Sequence, residues 1–134
     1  MPDAKREALE AILAGEGERW GEVVDSLSDA ETSSLMTAAS VKACYIQFPE
    51  DPTLDEISRY VHEVRERYVP YFDLKILPAE AVIRAALLDP SAVKGVPAVD
   101  VMQAQLALVT VVAKDHSLTG ASAEEFIQEV LDAV

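Results

Sequence analysis

The sequence predicts an all-α fold: a single-domain, irregular bundle of about six to seven helices around a buried central helix at residues 98–115. Three observations predict it. Apolar residues recur at helical spacing in almost every segment. Ser28/Glu31, Thr53/Glu56 and Ser122/Glu125 each match the S/T-x-x-E pattern of a capped helix start. The one stretch that alternates with a period of two has no second strand to pair with, and a lone strand leaves its backbone unsatisfied.

The first helix is expected from about Asp3 to Ala14, with Leu9, Ile12 and Leu13 on one side and Gly15 and Gly17 breaking it. A short second helix starts near Glu18 and places Trp20, Val23, Val24 and Leu27 at i, i+3, i+4 and i+7. Trp20 is its expected core anchor, and a buried indole N–H needs a partner. Ser28 opens a third helix that runs to about Phe48, where Pro49 and Pro52 end it. Its middle is rich in small residues, Ala38, Ala39, Ser40, Ala43 and Cys44. The fourth helix follows Thr53. Its seam of Leu54, Ile57, Val61, Val64 and Tyr68, with a charged back, is the clearest amphipathic pattern in the chain.

Residues 70–77 read as an extended connector. Pro78 suits the first position of a fifth helix reaching about Leu88, before Asp89-Pro90 stops it. Pro97 likewise opens a sixth helix to about Asp115. Asp100, Gln103, Thr110 and Lys114 form one thin polar stripe on it, and nearly everything else is apolar. A helix apolar around most of its girth is buried on most sides, which makes this one central. Ser122 then caps a seventh helix expected to bury Phe126, Ile127, Val130, Leu131 and Val134. No internal repeat or low-complexity tract interrupts the 134 residues, so one domain at 1–134 is expected.

Composition narrows function. With 24 Asp plus Glu against 11 Lys plus Arg, the formal charge is −13. Such a surface repels nucleic-acid phosphate and anionic lipid, so neither nucleic acid nor membrane is an expected partner. Half of the residues are hydrophobic, which excludes disorder driven by charge. The single cysteine, Cys44, permits no intramolecular disulfide. The opening MPDAKREALEAILAG has no apolar stretch of the about 7–15 residues that a signal peptide carries. A cytoplasmic location is expected.

Sequence patterns for chemistry fall short. Gly15-Glu16-Gly17-Glu18-Arg19-Trp20-Gly21 lacks dinucleotide spacing and follows a helix rather than a strand. His62-Glu63-Val64-Arg65-Glu66 begins like H-E-x-x-H, but Glu66 replaces the second histidine. That face reads instead as solvated pairs, Asp55–Arg59 and Glu63–Arg67. Asp25, Asp29 and Glu31 resemble a calcium loop without its central glycine or terminal glutamate. Cys44, mid-helix among alanines, reads as a small buried hydrophobe. His116 reads as a contact at a helix C-terminus. No catalytic residue, metal or cofactor is expected.

Two features point toward function. Tyr60, Tyr68, Tyr71 and Phe72 cluster around Val69-Pro70, and tyrosines beside a bent connector suit a protein interface. Gln105 falls on the buried side of the central helix, where its amide must be paired within the bundle or by a ligand. The leading expectation is therefore a non-catalytic protein–protein interaction or regulatory module that self-associates or binds a protein partner. Two alternatives are a small-molecule-binding bundle or enzyme with an internal pocket near Gln105 and Cys44, and an acidic nucleic-acid mimic that captures a basic protein.

Overall fold

A computed structural model describes residues 3–69 and 71–134. Among them the secondary structure is helical throughout, with no strand: α1 (Ala4–Leu13), α2 (Gly17–Val24), α3 (Asp29–Gln47), α4 (Leu54–Tyr68), α5 (Ile76–Leu87), α6 (Ala98–Asp115) and α7 (Gly120–Ala133), plus a 3₁₀ turn at Pro90–Val93. The helices pack into one bundle, α6 touching α3, α5 and α1.

The local signals explain most boundaries. Asp3 caps α1 by accepting from the Lys5 backbone N–H at 3.0 Å. At the other end Gly15 takes the left-handed conformation, φ +73°. This lets the Glu16 N–H reach back to the Ala11 carbonyl at 2.8 Å and the Gly15 N–H to that of Ile12 at 3.0 Å, a Schellman closure. The Ser28/Glu31 and Thr53/Glu56 boxes are both formed reciprocally. The C-terminus of α6 closes like that of α1, but on a non-glycine residue. Ser117 sits at φ 51°, and the buried Leu118 donates to the Ala113 carbonyl at 2.9 Å.

Several expectations are corrected. The fifth helix begins at Ile76, two residues before Pro78. Proline is tolerated there because the first N–H groups of a helix have no intrahelical partner. The connector is thus only 71–75 among the described residues, with Pro70 outside them. Pro97 caps α6 from outside rather than standing as its first residue. The last helix is capped by Thr119 with Ser122 in the glutamate's place, not by Ser122 with Glu125. Helix α2 buries no residue fully. Trp20 lies half-buried against the core, and its Nε1–H has no hydrogen-bond partner among the described residues. Leu54 and Val134, at helix ends beyond their neighbours, are exposed, and Leu131 is only partly buried.

The core has two parts that share α6. One gathers Leu9, Ile12, Leu35, Met36, Phe126, Ile127 and Val130. The other gathers Cys44, Ile57, Val61, Val64, Val82 and Ile83. Helix α6 supplies Val109 and Val112 to the first and Ala104, Leu108 and Val111 to the second. Other α6 positions line the two candidate surfaces, 100, 103, 107 and 110 one of them and 98, 101, 102 and 105 the other.

Candidate functional site

The connector 71–75 passes beside the polar stripe of α6 and leaves a groove of about 630 Å³ between them. Phe72 and Leu74 form one wall and Leu106, Ala107 and Thr110 the other. Lys75 Nζ donates to Asp100 Oδ1 at 2.9 Å, tying the connector to the start of α6. That hydrogen bond, and then the Asp100 charge, hold the Lys75 ammonium above its ordinary value. A second tie closes the other end of α6. Arg67 of α4 donates from Nη1 and Nη2 to the two Asp115 carboxylate oxygens at 3.0 and 2.9 Å. Arg67 therefore pairs with Asp115 rather than with Glu63. The Asp55–Arg59 pair does form.

The four aromatic residues separate. Tyr68 is buried at the end of α4 and stacks on Phe72, ring centroids 5.3 Å apart, while Lys114 Nζ lies 5.5 Å from its ring centroid. Tyr71 meets Tyr68 edge-on at 6.5 Å and stays 79% exposed, beside Val69 at 61%. Tyr68, Tyr71 and Phe72 thus form one aromatic contact set, of which Phe72 also lines the groove. Tyr60 belongs elsewhere: it packs edge-on against Phe48 at 5.3 Å. Its hydroxyl is buried with no hydrogen-bond partner among the described residues. Burial, and then the negative charge of Asp115, push that phenol above its ordinary value. An unsatisfied buried hydroxyl costs about 1–3 kcal/mol. Tyr60→Phe keeps the ring packing and removes the cost, so it should stabilise the fold by about 1 kcal/mol in urea titrations; a loss of stability would mean the hydroxyl has a partner.

Gln105 and Cys44 also lie apart. Cys44 sits in the second core cluster, 3% exposed, where burial pushes its thiol up to about 12. A protonated, enclosed thiol is a packing group rather than a nucleophile. Gln105, 6% exposed, faces α3, and its Nε2 donates to Thr37 Oγ1 at a long 3.4 Å. Beside it opens a second cleft, of about 820 Å³, on the side of α6 away from the tyrosines. The histidines are engaged locally. His62 Nδ1 lies 2.8 Å from the Ser58 carbonyl, and His116 Nε2 lies 3.0 Å from Gln47 Oε1. Among the described residues no three His, Cys, Asp or Glu side chains gather to hold a metal, and no helix is long and apolar enough to cross a membrane.

Charge divides along the same line. Residues 59–115 hold seven acidic and seven basic side chains, so the entire formal charge of −13 resides in the rest of the chain. The connector, the last part of α4, α5 and α6 are thus neutral as a set, while α1, α2 and α7 belong to the acidic remainder. Sequence reading found the tyrosines but not Leu74, Lys75, Asp100, Leu106 and Ala107. Their juxtaposition depends on contacts about 25 residues apart in sequence, such as Lys75 to Asp100. The chain matches no protein-family model, no curated protein and no solved structure.

Proposed function

We propose that the chain is a small protein–protein interaction module that works by self-association, a second copy docking on Val69, Tyr71 and the groove between residues 72–75 and α6. The observation that carries this reading is the coincidence of exposed apolar side chains with the electrically neutral part of the molecule. Val69 and Tyr71 are exposed and come just before, in sequence, Phe72 and Leu74, the connector residues that wall the groove against Leu106 and Ala107. An aromatic anchor next to an apolar depression is the kind of element that dominates binding energy at interfaces. Two copies of a chain at −13 repel one another over most of their surface. The 59–115 segment, where seven positive charges offset seven negative ones, carries none of that net charge, so docking on its residues meets the least of that penalty.

The reading makes a signed prediction about salt. Repulsion between the acidic remainders is screened as ionic strength rises, because the Debye length falls from about 30 Å at 0.01 M to about 8 Å at 0.15 M. Dimerisation should therefore strengthen with added salt. Capture of a basic partner by the acidic side would weaken. Sedimentation equilibrium of the purified chain across micromolar to millimolar concentration measures this directly. Tyr71→Asp together with Val69→Asp should abolish the dimer while leaving the helical circular dichroism unchanged. A chain that stays monomeric at every concentration and salt sinks the proposal, as does a dimer indifferent to both substitutions.

A further inference from the structure

We infer that the cleft beside Gln105 is a binding site for an organic cation, an apolar body carrying a protonated amine. The observations are independent of the docking face and lie on another side of α6. Positions 98, 101, 102 and 105 line this cleft, whereas 100, 103, 107 and 110 line the groove. The cleft holds about 820 Å³, within the roughly 300–1,000 Å³ typical of small-molecule sites. Its walls sort by chemistry. Val24, Val96, Val101 and Met102 are apolar, Thr32 and Ser33 offer hydroxyls, and Asp25 and Asp29 stand at the junction of α2 and α3.

Gln105 is the built element. It is more than nine-tenths buried, yet its amide uses one hydrogen bond, the 3.4 Å contact to Thr37. A primary amide can donate twice and accept twice, and its Oε1 accepts from none of the described residues. That oxygen is not among the enclosed, unpartnered side-chain atoms of the described residues; it opens to the cleft that Gln105 lines. A ligand donor would complete it. The charge of that donor follows from its neighbours. Neither Asp25 nor Asp29 is in an ion pair among the described residues. Glu16, Glu18, Glu22 and Glu31 lie close to them in sequence, and Arg19 is the one basic residue between positions 7 and 41. An ammonium N–H can therefore donate to the amide oxygen while the carboxylates neutralise its charge. The hydrocarbon body of the ligand lies on the valines and on the soft thioether of Met102, which suits an aromatic ring.

Phenethylamine, protonated at neutral pH, is the probe, and 2-phenylethanol is its neutral counterpart of nearly the same shape. Methionine-methyl NMR of the full chain reads the site, since Met102 is one of only three methionines. Titration with the amine at millimolar concentration should shift the Met102 methyl in a saturable way and leave that of Met36 in place. The alcohol should bind about tenfold more weakly, the factor expected when a charge-assisted contact is lost. Asp25→Asn with Asp29→Asn should bring the amine down to the alcohol's affinity. Gln105→Met, of similar volume and without a carbonyl, should weaken amine and alcohol alike. An unmoved Met102 methyl would overturn the assignment. So would equal binding of amine and alcohol, or a shift that survives both sets of substitutions.

Discussion

Replacing Phe126 with alanine should cost about 3–5 kcal/mol, the range for emptying a buried phenylalanine site. Phe126 is the largest of the fully buried side chains and lies among Leu9, Ile12, Leu35, Met36 and Val112. The cluster that holds Phe126 draws side chains from α1, α3, α6 and α7. Helix α7 also buries Ile127 and Val130, each smaller than the Phe126 ring. Its ion pairs, Arg6–Glu124 and Lys42–Glu129, are at least one-third exposed on one or both partners, and such pairs contribute about 0.2–1 kcal/mol each. For a chain of this length the loss corresponds to a fall in Tm of roughly 10–20 °C, read by circular dichroism. Val134→Ala, at an exposed terminal position of the same segment, should stay within about 0.5 kcal/mol of the parent. A Phe126→Ala variant that melts within a few degrees of the parent would mean that α7 is not docked through this ring.

The residues that make these cores were largely legible because the patterns that reveal them are local. Ser28 with Glu31 and Thr53 with Glu56 work within four residues, so the starts of α3 and α4 could be read directly. The period of Ile57, Val61, Val64 and Tyr68 marks a single face without reference to anything beyond α4, and all four are buried. Leu54 continues that period yet is exposed, because burial at the first position of a helix depends on what the neighbouring elements cover. The start of α7 was misplaced for a related reason. Ser122 can serve as a cap or as the third residue that reaches back to one, and it donates to the Thr119 carbonyl at 2.9 Å, which only the path of the preceding turn decides.

The candidate surfaces were legible in part. Tyrosines near a bend could be counted, but Tyr60 and Tyr71 carry the same side chain on the same stretch and end in opposite environments, one hydroxyl buried and the other ring 79% exposed. Gln105 was recognised as a polar residue on an apolar face. That Asp25 and Asp29 converge on its cleft could not be read from spacing, since about 75–80 residues separate them from it in sequence.

Leu108→Ala should weaken both halves of the bundle at once, although Leu108 touches only one of the two clusters. The reason lies in the way α6 is divided. Ala104, Leu108 and Val111 point into the cluster that holds Cys44, and Val109 and Val112 point into the cluster flanked by Trp20. Neither half can shed α6 without opening its own core, so the two should unfold together. The chain carries one native probe for each: a single tryptophan and a single cysteine. Emptying the Leu108 site should cost about 2–5 kcal/mol. The urea midpoint seen by Trp20 fluorescence should fall in step with the circular dichroism midpoint, despite Trp20 lying against the other cluster. Cys44, buried and held protonated, reacts with a disulfide reagent only when its cluster opens. Its labelling in the absence of urea should therefore accelerate at least about thirtyfold, the factor equivalent to roughly 2 kcal/mol. Faster labelling of Cys44 with an unmoved Trp20 transition would instead mean that the α4–α5 half opens alone while α6 stays on the first cluster. In that case the docking groove, walled partly by the connector into α5, would be a surface that opens and closes independently of the acidic half.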